Sequence, residues 1–207
     1  MQPNERLLDD PGREYRPAAG ARREQIVLEA AELFAIRGYH GTSMQDIAER
    51  VGMLKGSLYA HVANKEEILL EIVSTTARLF TDAVEPIAHG DAVHGARLRQ
   101  ALHAHLAVIA ENRASATVFL VEWRHLEGQP LRWFTEARGR YEVLWQGMLA
   151  EGVAAETLPP GLEPRMATRL LLAAAGGACQ WLADPTGPTS EAIADSLADL
   201  FLGCQRE

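Results

Sequence analysis

The chain has 207 residues, 47% hydrophobic and 23% charged, with 20 Lys/Arg against 28 Asp/Glu for a formal net charge of −8. That length can bury a good core in one or two domains, and the apolar fraction is ordinary for a globular protein. Two cysteines, Cys179 and Cys204, are too few for a disulfide framework, and the longest apolar run (residues 170–179) is far short of the roughly 20 residues that span a bilayer. With no secretory leader pattern at the start, a soluble cytoplasmic protein without a membrane partner is expected.

Residues 1–20 hold three prolines, two glycines and no apolar period. They read as a flexible arm, whose Arg13 and Arg16 either reach an adjacent minor groove or belong to a disordered tail. A helix is expected over residues 22–37, with Ile26, Val27, Ala30, Leu33 and Phe34 at helical spacing and Gly38 closing it. Thr42 followed by Gln45 has capping-box spacing and opens a second helix. Ile47, Ala48 and Val51 make its apolar stripe, Ala48 being small enough for a close crossing, and Gly52 ends it. In a third helix Leu54 and Leu58 turn to the core, leaving Lys55, Gly56, Ser57, Tyr59 and His61 on an open face. Asn64 then caps a further helix that begins at Lys65.

Helix, tight glycine turn and second helix with outward polar and basic residues form a helix-turn-helix that reads the major groove. Lys55 and Lys65 are the only lysines of the chain and would anchor phosphates. Gly56 lets the backbone approach the duplex, Ser57 suits a base edge or a phosphate, and Tyr59 and His61 offer donors to the backbone. The net charge of −8 by itself argues against a nucleic-acid binder, but its distribution corrects that: residues 1–65 hold nine Lys/Arg and nine Asp/Glu, so the remaining 11 and 19 carry all of the −8.

Ile47-Ala48, Gly52, Gly56-Ser57-Leu58-Tyr59, His61 and Asn64-Lys65-Glu66 resemble the DNA-binding signature of the TetR family of transcriptional repressors, with Val62 in place of the commoner phenylalanine. The resemblance implies an all-α fold of about nine helices. Residues 21–65 would be the three-helix DNA-binding domain and residues 66–207 a helical ligand-binding and dimerisation domain. It also implies that Arg22 or Arg23 touches the DNA backbone, and places Arg22, Thr42 and Ser43 with Lys55, Gly56, Ser57, Tyr59, His61 and Lys65 among the DNA-facing residues.

Downstream, strand signals are missing and breaks delimit helices of about 66–84, 92–111, 114–127, 131–152, 163–183 and 189–204. Residues 170–178 are apolar on every side and rich in small residues, and the last helix is amphipathic. Helices 163–183 and 189–204 therefore suit a four-helix bundle between two subunits, the homodimer interface that the resemblance implies; a purely internal core is the alternative. The aromatics concentrate between Phe119 and Trp145. Phe119, Trp123, Arg124, Trp133, Arg140, Tyr141, Trp145 and Trp181 are the candidate lining of a small-molecule pocket, or else core filling. Glu122-Trp123-Arg124, Tyr141-x-x-Leu-Trp145 and Leu149-x-Glu-Gly152 resemble the subgroup that senses acyl-coenzyme A thioesters.

Enzyme readings lack support: no nucleophile elbow, dinucleotide loop or P-loop is present, and His103-x-His105 points to two sides of a helix. Neither a cofactor nor a metal is expected. The sequence reads as a ligand-responsive repressor, a homodimer on a palindromic operator in double-stranded DNA, released by a hydrophobic effector. The alternatives are a ligand-independent DNA-binding regulator, a sensor of a different aromatic or lipophilic molecule, and a helical small-molecule-binding protein or enzyme with a vestigial reading head.

Overall fold

A computed structural model describes residues 20–203, which are helical between short turns and contain no strand. The α-helices among the described residues are α1 (Ala21–Arg37), α2 (Met44–Arg50), α3 (Lys55–Leu58), α4 (Lys65–Ala88), α5 (His94–Glu111), α6 (Arg113–Val121), α7 (Gly128–Ala154), α8 (Pro164–Trp181) and α9 (Ser190–Leu202). A 3-10 turn, Glu122–His125, lies between α6 and α7. This is the expected all-α architecture. Arg13, Arg16 and the rest of the arm before Gly20 lie outside the described residues, as does Cys204.

Four helix limits differ from expectation, and one of them is α6, which stops at Val121 and not near 127 because the chain tightens there into the 3-10 turn Glu122–His125. α3 is a single turn, because the N–H groups of His61 and Val62 both go to the Leu58 carbonyl (2.9 and 3.2 Å) and tighten the chain there. α4 runs through Pro86 to Ala88; a proline so near the helix end forfeits little of the ladder. α7 begins at Gly128 and keeps Pro130 in its first turn, where a backbone N–H has no intrahelical partner.

The chain divides into two compact units. Of the described residues, one unit comprises 20–77 together with 114–137, and its core is a single cluster. Ile26, Ala30 and Phe34 of α1 meet Ile47, Ala48 and Val51 of α2, Leu58 and Val62 around α3, and Ile68, Leu69, Ile72 and Val73 of α4. Val118, Leu126 and Phe134 complete it. The other unit comprises residues 78–113 and 138–203. Its buried residues include Phe80, Leu98, Leu102, Leu106, Trp145, Leu149, Leu171, Ala175, Ile193 and Leu197. Arg99 of α5 reaches Asp195 (2.7 Å) and Asp199 (2.6 Å) of α9, surface pairs that fix register more than they stabilise. α4 and α7 each contribute residues to both units. No helix of the described residues is long and apolar enough to cross a membrane.

Candidate nucleic-acid interface and effector region

The turn between α2 and α3 is built as the sequence suggests. Gly52 adopts φ +67°, and the Met53 N–H closes the turn on the Ala48 carbonyl at 2.8 Å. Ile47, Ala48, Leu58 and Val62 are buried beneath it. Lys55, Gly56, Ser57 and Tyr59 are exposed, and His61 is half-buried. A Cβ added at Gly56 would meet nothing in the protein within 4 Å, so the fold itself does not require glycine there. An external surface pressed close to that backbone would.

Two expectations for this segment are corrected. Leu54 does not return to the core: it is 81% exposed. It is the residue before α3, and its carbonyl receives Ser57 N–H (2.9 Å) and Leu58 N–H (3.2 Å) while its side chain projects outward. The capping box lies one residue later than Thr42–Gln45. Ser43 Oγ accepts from Asp46 N–H (3.1 Å), and the Asp46 carboxylate accepts from Ser43 N–H (2.8 Å). Hydrogen bonds from the Ser43 hydroxyl and backbone hold the Asp46 carboxyl below the usual carboxylate range. Thr42 is buried, with its hydroxyl donating to the Gly38 carbonyl (3.0 Å), so its side chain is not available to DNA.

Most cations of this unit are engaged by the protein itself. Arg22 donates to Gln25 (2.7 Å) and to the Val51 carbonyl (3.0 Å), tying α1 to the end of α2. Arg37 pairs with Asp46 (3.2 Å) and Arg50 with Glu29 (2.7 Å). Lys65, expected as a second phosphate anchor, donates to the carbonyls of Tyr39 and Thr42 at 2.8 Å each and lies 4.2 Å from the Tyr39 ring centroid. Its ammonium is spent on closing the α1–α2 turn, and burial lowers its pKa. Among the described residues Lys55 makes no hydrogen bond or ion pair.

Arg23, which the resemblance offered alongside Arg22 as a contact to the DNA backbone, is instead buried and engaged within the protein. Its guanidinium pairs with Glu67 (2.7 Å) and Glu71 (2.6 Å) of α4 and donates to the His61 carbonyl. Burial opposes its charge, yet the hydrogen bonds it donates to Glu67 and Glu71 prevail and its pKa is raised. Burial pushes Glu71 upward despite Arg23. Glu67 also accepts Ala63 N–H (2.6 Å), while Asn64 Oδ1 accepts Glu67 N–H (2.8 Å), a reciprocal cap on α4. The signal for Arg23 is its spacing: it shares a face with Ile26 and Ala30.

The eight residues expected to line a pocket are distributed as follows. In the first unit Phe119 and Trp123 gather around Phe134 (ring centroids 5.4 and 5.0 Å), and Trp133 packs against the same core. The turn after α6 is seated on the turn after α1. Glu122 Oε2 accepts Tyr39 N–H (3.0 Å) and lies 3.3 Å from His125 Nε2. The His125 ring stacks on Tyr39 (5.4 Å) and meets His40 edge-on (4.3 Å). Arg124 donates to the Val121 carbonyl (2.6 Å) from an exposed position. In the second unit Tyr141 and Trp145 join Phe80 and His105. Arg140 is exposed, and Trp181 is half-exposed on α8, in neither aromatic group.

His105 is wholly buried, and desolvation pushes its pKa from 6.5 down to about 3. Between those values the unfolded chain binds a proton at this position that the folded protein refuses. The stability contributed by the neutral ring is therefore complete above about pH 6.5 and is lost as pH falls toward 3. One proton corresponds to about 1.4 kcal/mol per pH unit, so about 2 kcal/mol should be lost between pH 6.5 and 5. Urea denaturation of the wild type and His105→Phe at pH 7 and pH 5 checks this. The wild type should lose about that much more than the variant, and equal losses would refute it.

Comparison with known proteins extends this geometry. The family model described as "Tetracyclin repressor-like, C-terminal domain" matches residues 91–204, and that of "Bacterial regulatory proteins, tetR family" matches residues 26–72. The chain is similar to the HTH-type transcriptional repressor KstR2 of Mycolicibacterium smegmatis, at 27% identity over 93% of this chain and 94% of that protein. It also resembles the structure of the ketosteroid transcriptional regulator KstR2 of Mycobacterium tuberculosis (TM-score 0.81, 25% identity, covering 90% and 95%). A third likeness is to the crystal structure of AibR in complex with isovaleryl coenzyme A and operator DNA (TM-score 0.79, 26% identity, covering 87% and 98%).

Proposed function

The chain belongs to the TetR family of bacterial DNA-binding transcriptional regulators, and from that premise we propose that it is a homodimeric repressor which leaves a palindromic operator when it binds an acyl-CoA thioester. Residues 21–65 are its reading head; the helices beyond serve effector binding and dimerisation.

The observation that carries the DNA-binding part is the division of α3: Leu58 is completely buried while Lys55, Gly56, Ser57 and Tyr59 face outward. The DNA-facing set is these four with Ser43, His61 and Arg22. Lys65 and Thr42 hold the head together from within. Dimerisation rests on α8, where Met166, Leu170, Ala173, Gly177 and Trp181 recur at helical spacing on one face. Leu170 is 61% exposed there, and Leu200 on α9 is 78% exposed. A two-fold axis through these helices gives two reading heads for two half-sites.

The effector class is supported by the similarity to AibR, solved with isovaleryl coenzyme A. A steroid-derived effector is the second reading, favoured by the likeness to a ketosteroid regulator. In either case α4 is the transmitting element. Its first turn is fastened to the head by Lys65, by the Asn64–Glu67 cap and by the Arg23 ion pairs, so the head moves with it. The effector shifts operator occupancy only by its difference in affinity between the two arrangements.

The test is a gel-shift titration against the DNA beside the protein's own gene over a range of salt concentrations. Lys55→Ala in both heads should reduce the slope of log affinity against log salt by about two, one phosphate contact per head. Tyr59→Phe should weaken binding with little change of slope. Unaltered binding by both variants would refute this DNA face.

A further inference from the structure

His105 of α5 has hydrogen-bonding capacity that the fold does not use. Its Nδ1 lies 2.8 Å from Tyr141 Oη, its ring stacks on Phe80 (4.6 Å, 25° between planes), and Trp145 meets it edge-on (5.8 Å, 88°). Its Nε2 is buried without a hydrogen-bond partner among the described residues. The Nδ1–Oη contact is compatible with either tautomer. Burial keeps the Tyr141 hydroxyl protonated, and in the arrangement where that hydroxyl donates to Nδ1 the neutral ring carries its own hydrogen on Nε2. In that tautomer an N–H donor is left unpaired among aromatic rings until an acceptor arrives.

The chemistry of the acceptor follows from the surroundings. Phe80, Tyr141 and Trp145 bring no positive charge to the ring, and the imidazole itself is uncharged at neutral pH. A carboxylate there would give up its hydration without a countercharge, whereas a carbonyl oxygen loses little and gains a hydrogen bond. We propose that His105, oriented by Tyr141 and flanked by Trp145, receives the uncharged carbonyl oxygen of an otherwise apolar effector through Nε2–H and discriminates against carboxylates. This rests on the sensor reading only in requiring that a small molecule enters this unit; it does not require coenzyme A.

Calorimetric titration of the full-length protein with octanoyl-CoA, its carbonyl-free S-octyl thioether, octanoic acid and 2-decanone tests the proposal. The wild type should bind octanoyl-CoA at least about tenfold more tightly than the thioether, and octanoate poorly. In His105→Phe, which keeps a ring in place, the thioester-to-thioether ratio should fall to about one. Nitrogen-15 NMR of the wild type, independent of any variant's folding, should show the Nε2–H tautomer and a shift of that resonance with ligand. If 2-decanone alone binds and does so through His105, the proposal stands and the thioester reading falls. Ligand binding without carbonyl preference, a preference that survives in His105→Phe, an Nδ1–H tautomer, or no binding by any carbonyl compound of the set would each overturn it.

Discussion

Replacing Arg23 by methionine is expected to lower unfolding stability at pH 7 by about 3–5 kcal/mol, the usual cost of removing one partner from a buried ionic cluster. The substitution keeps the length of the side chain and leaves the carboxylates of Glu67 and Glu71 facing each other without a cation. It also strips the His61 carbonyl of its donor, at the point where α3 passes into α4. Glu71 is already held above the usual carboxylate range by burial, and without Arg23 it would rise further. The folded variant would then bind a proton that its unfolded chain releases, so the deficit should be largest near pH 7 and shrink toward pH 5. Chemical denaturation at both pH values measures this. A loss below about 1 kcal/mol at pH 7 would show that the cluster contributes little.

The second large effect concerns α8. Leu170→Glu places a charge in the middle of the exposed apolar face formed with Met166, Ala173, Gly177 and Trp181, and Leu170 makes little contact with its own unit. The monomer should fold with unaltered helicity yet fail to associate, because a carboxylate buried against the same residue of a second copy repels it. Linking two heads raises apparent operator affinity by roughly 10²–10⁴, and that gain should vanish. Sedimentation equilibrium and operator titration together decide the matter. A variant that remains dimeric would move the proposed interface elsewhere.

Periodicity and glycine make part of the fold legible from the order of residues alone. Ile47, Ala48 and Val51 fall on one helical face, and Gly52 takes the left-handed conformation that side chains avoid, so the helix-turn-helix can be read directly. What the residue order hides lies at helix ends and among polar residues. Leu54 is apolar, yet at the start of a one-turn helix the chain direction, and not its hydrophobicity, aims the side chain. Thr42 and Ser43 are neighbouring hydroxyls of similar capping ability, and burial of Thr42 decides between them. Lys65 and Arg23 resemble solvated cations in a sequence, because nothing local reveals that carbonyls and carboxylates distant in the chain converge on them. The aromatics from Phe119 to Trp145 look like one cluster because they are close in sequence. α7, however, is 27 residues long and supplies Trp133 and Phe134 to one unit and Tyr141 and Trp145 to the other. His105 carries no sequence signal, since its role depends on a tyrosine 36 positions away.

The internal pairing of the reading head's cations bears on how many copies of the protein a cell requires. Most DNA-binding proteins are held by the bulk chromosome through generic phosphate contacts, and the millions of non-operator sites then compete for the pool. Here Arg23, Arg37, Arg50 and Lys65 are neutralised or saturated by the protein itself, which leaves Lys55 as the principal uncommitted charge of α3. A dimeric repressor with such a head would hold random duplex weakly, leaving a larger share of its molecules available to the operator. Fewer copies would then maintain an occupancy for which a more basic repressor of equal specific affinity needs more.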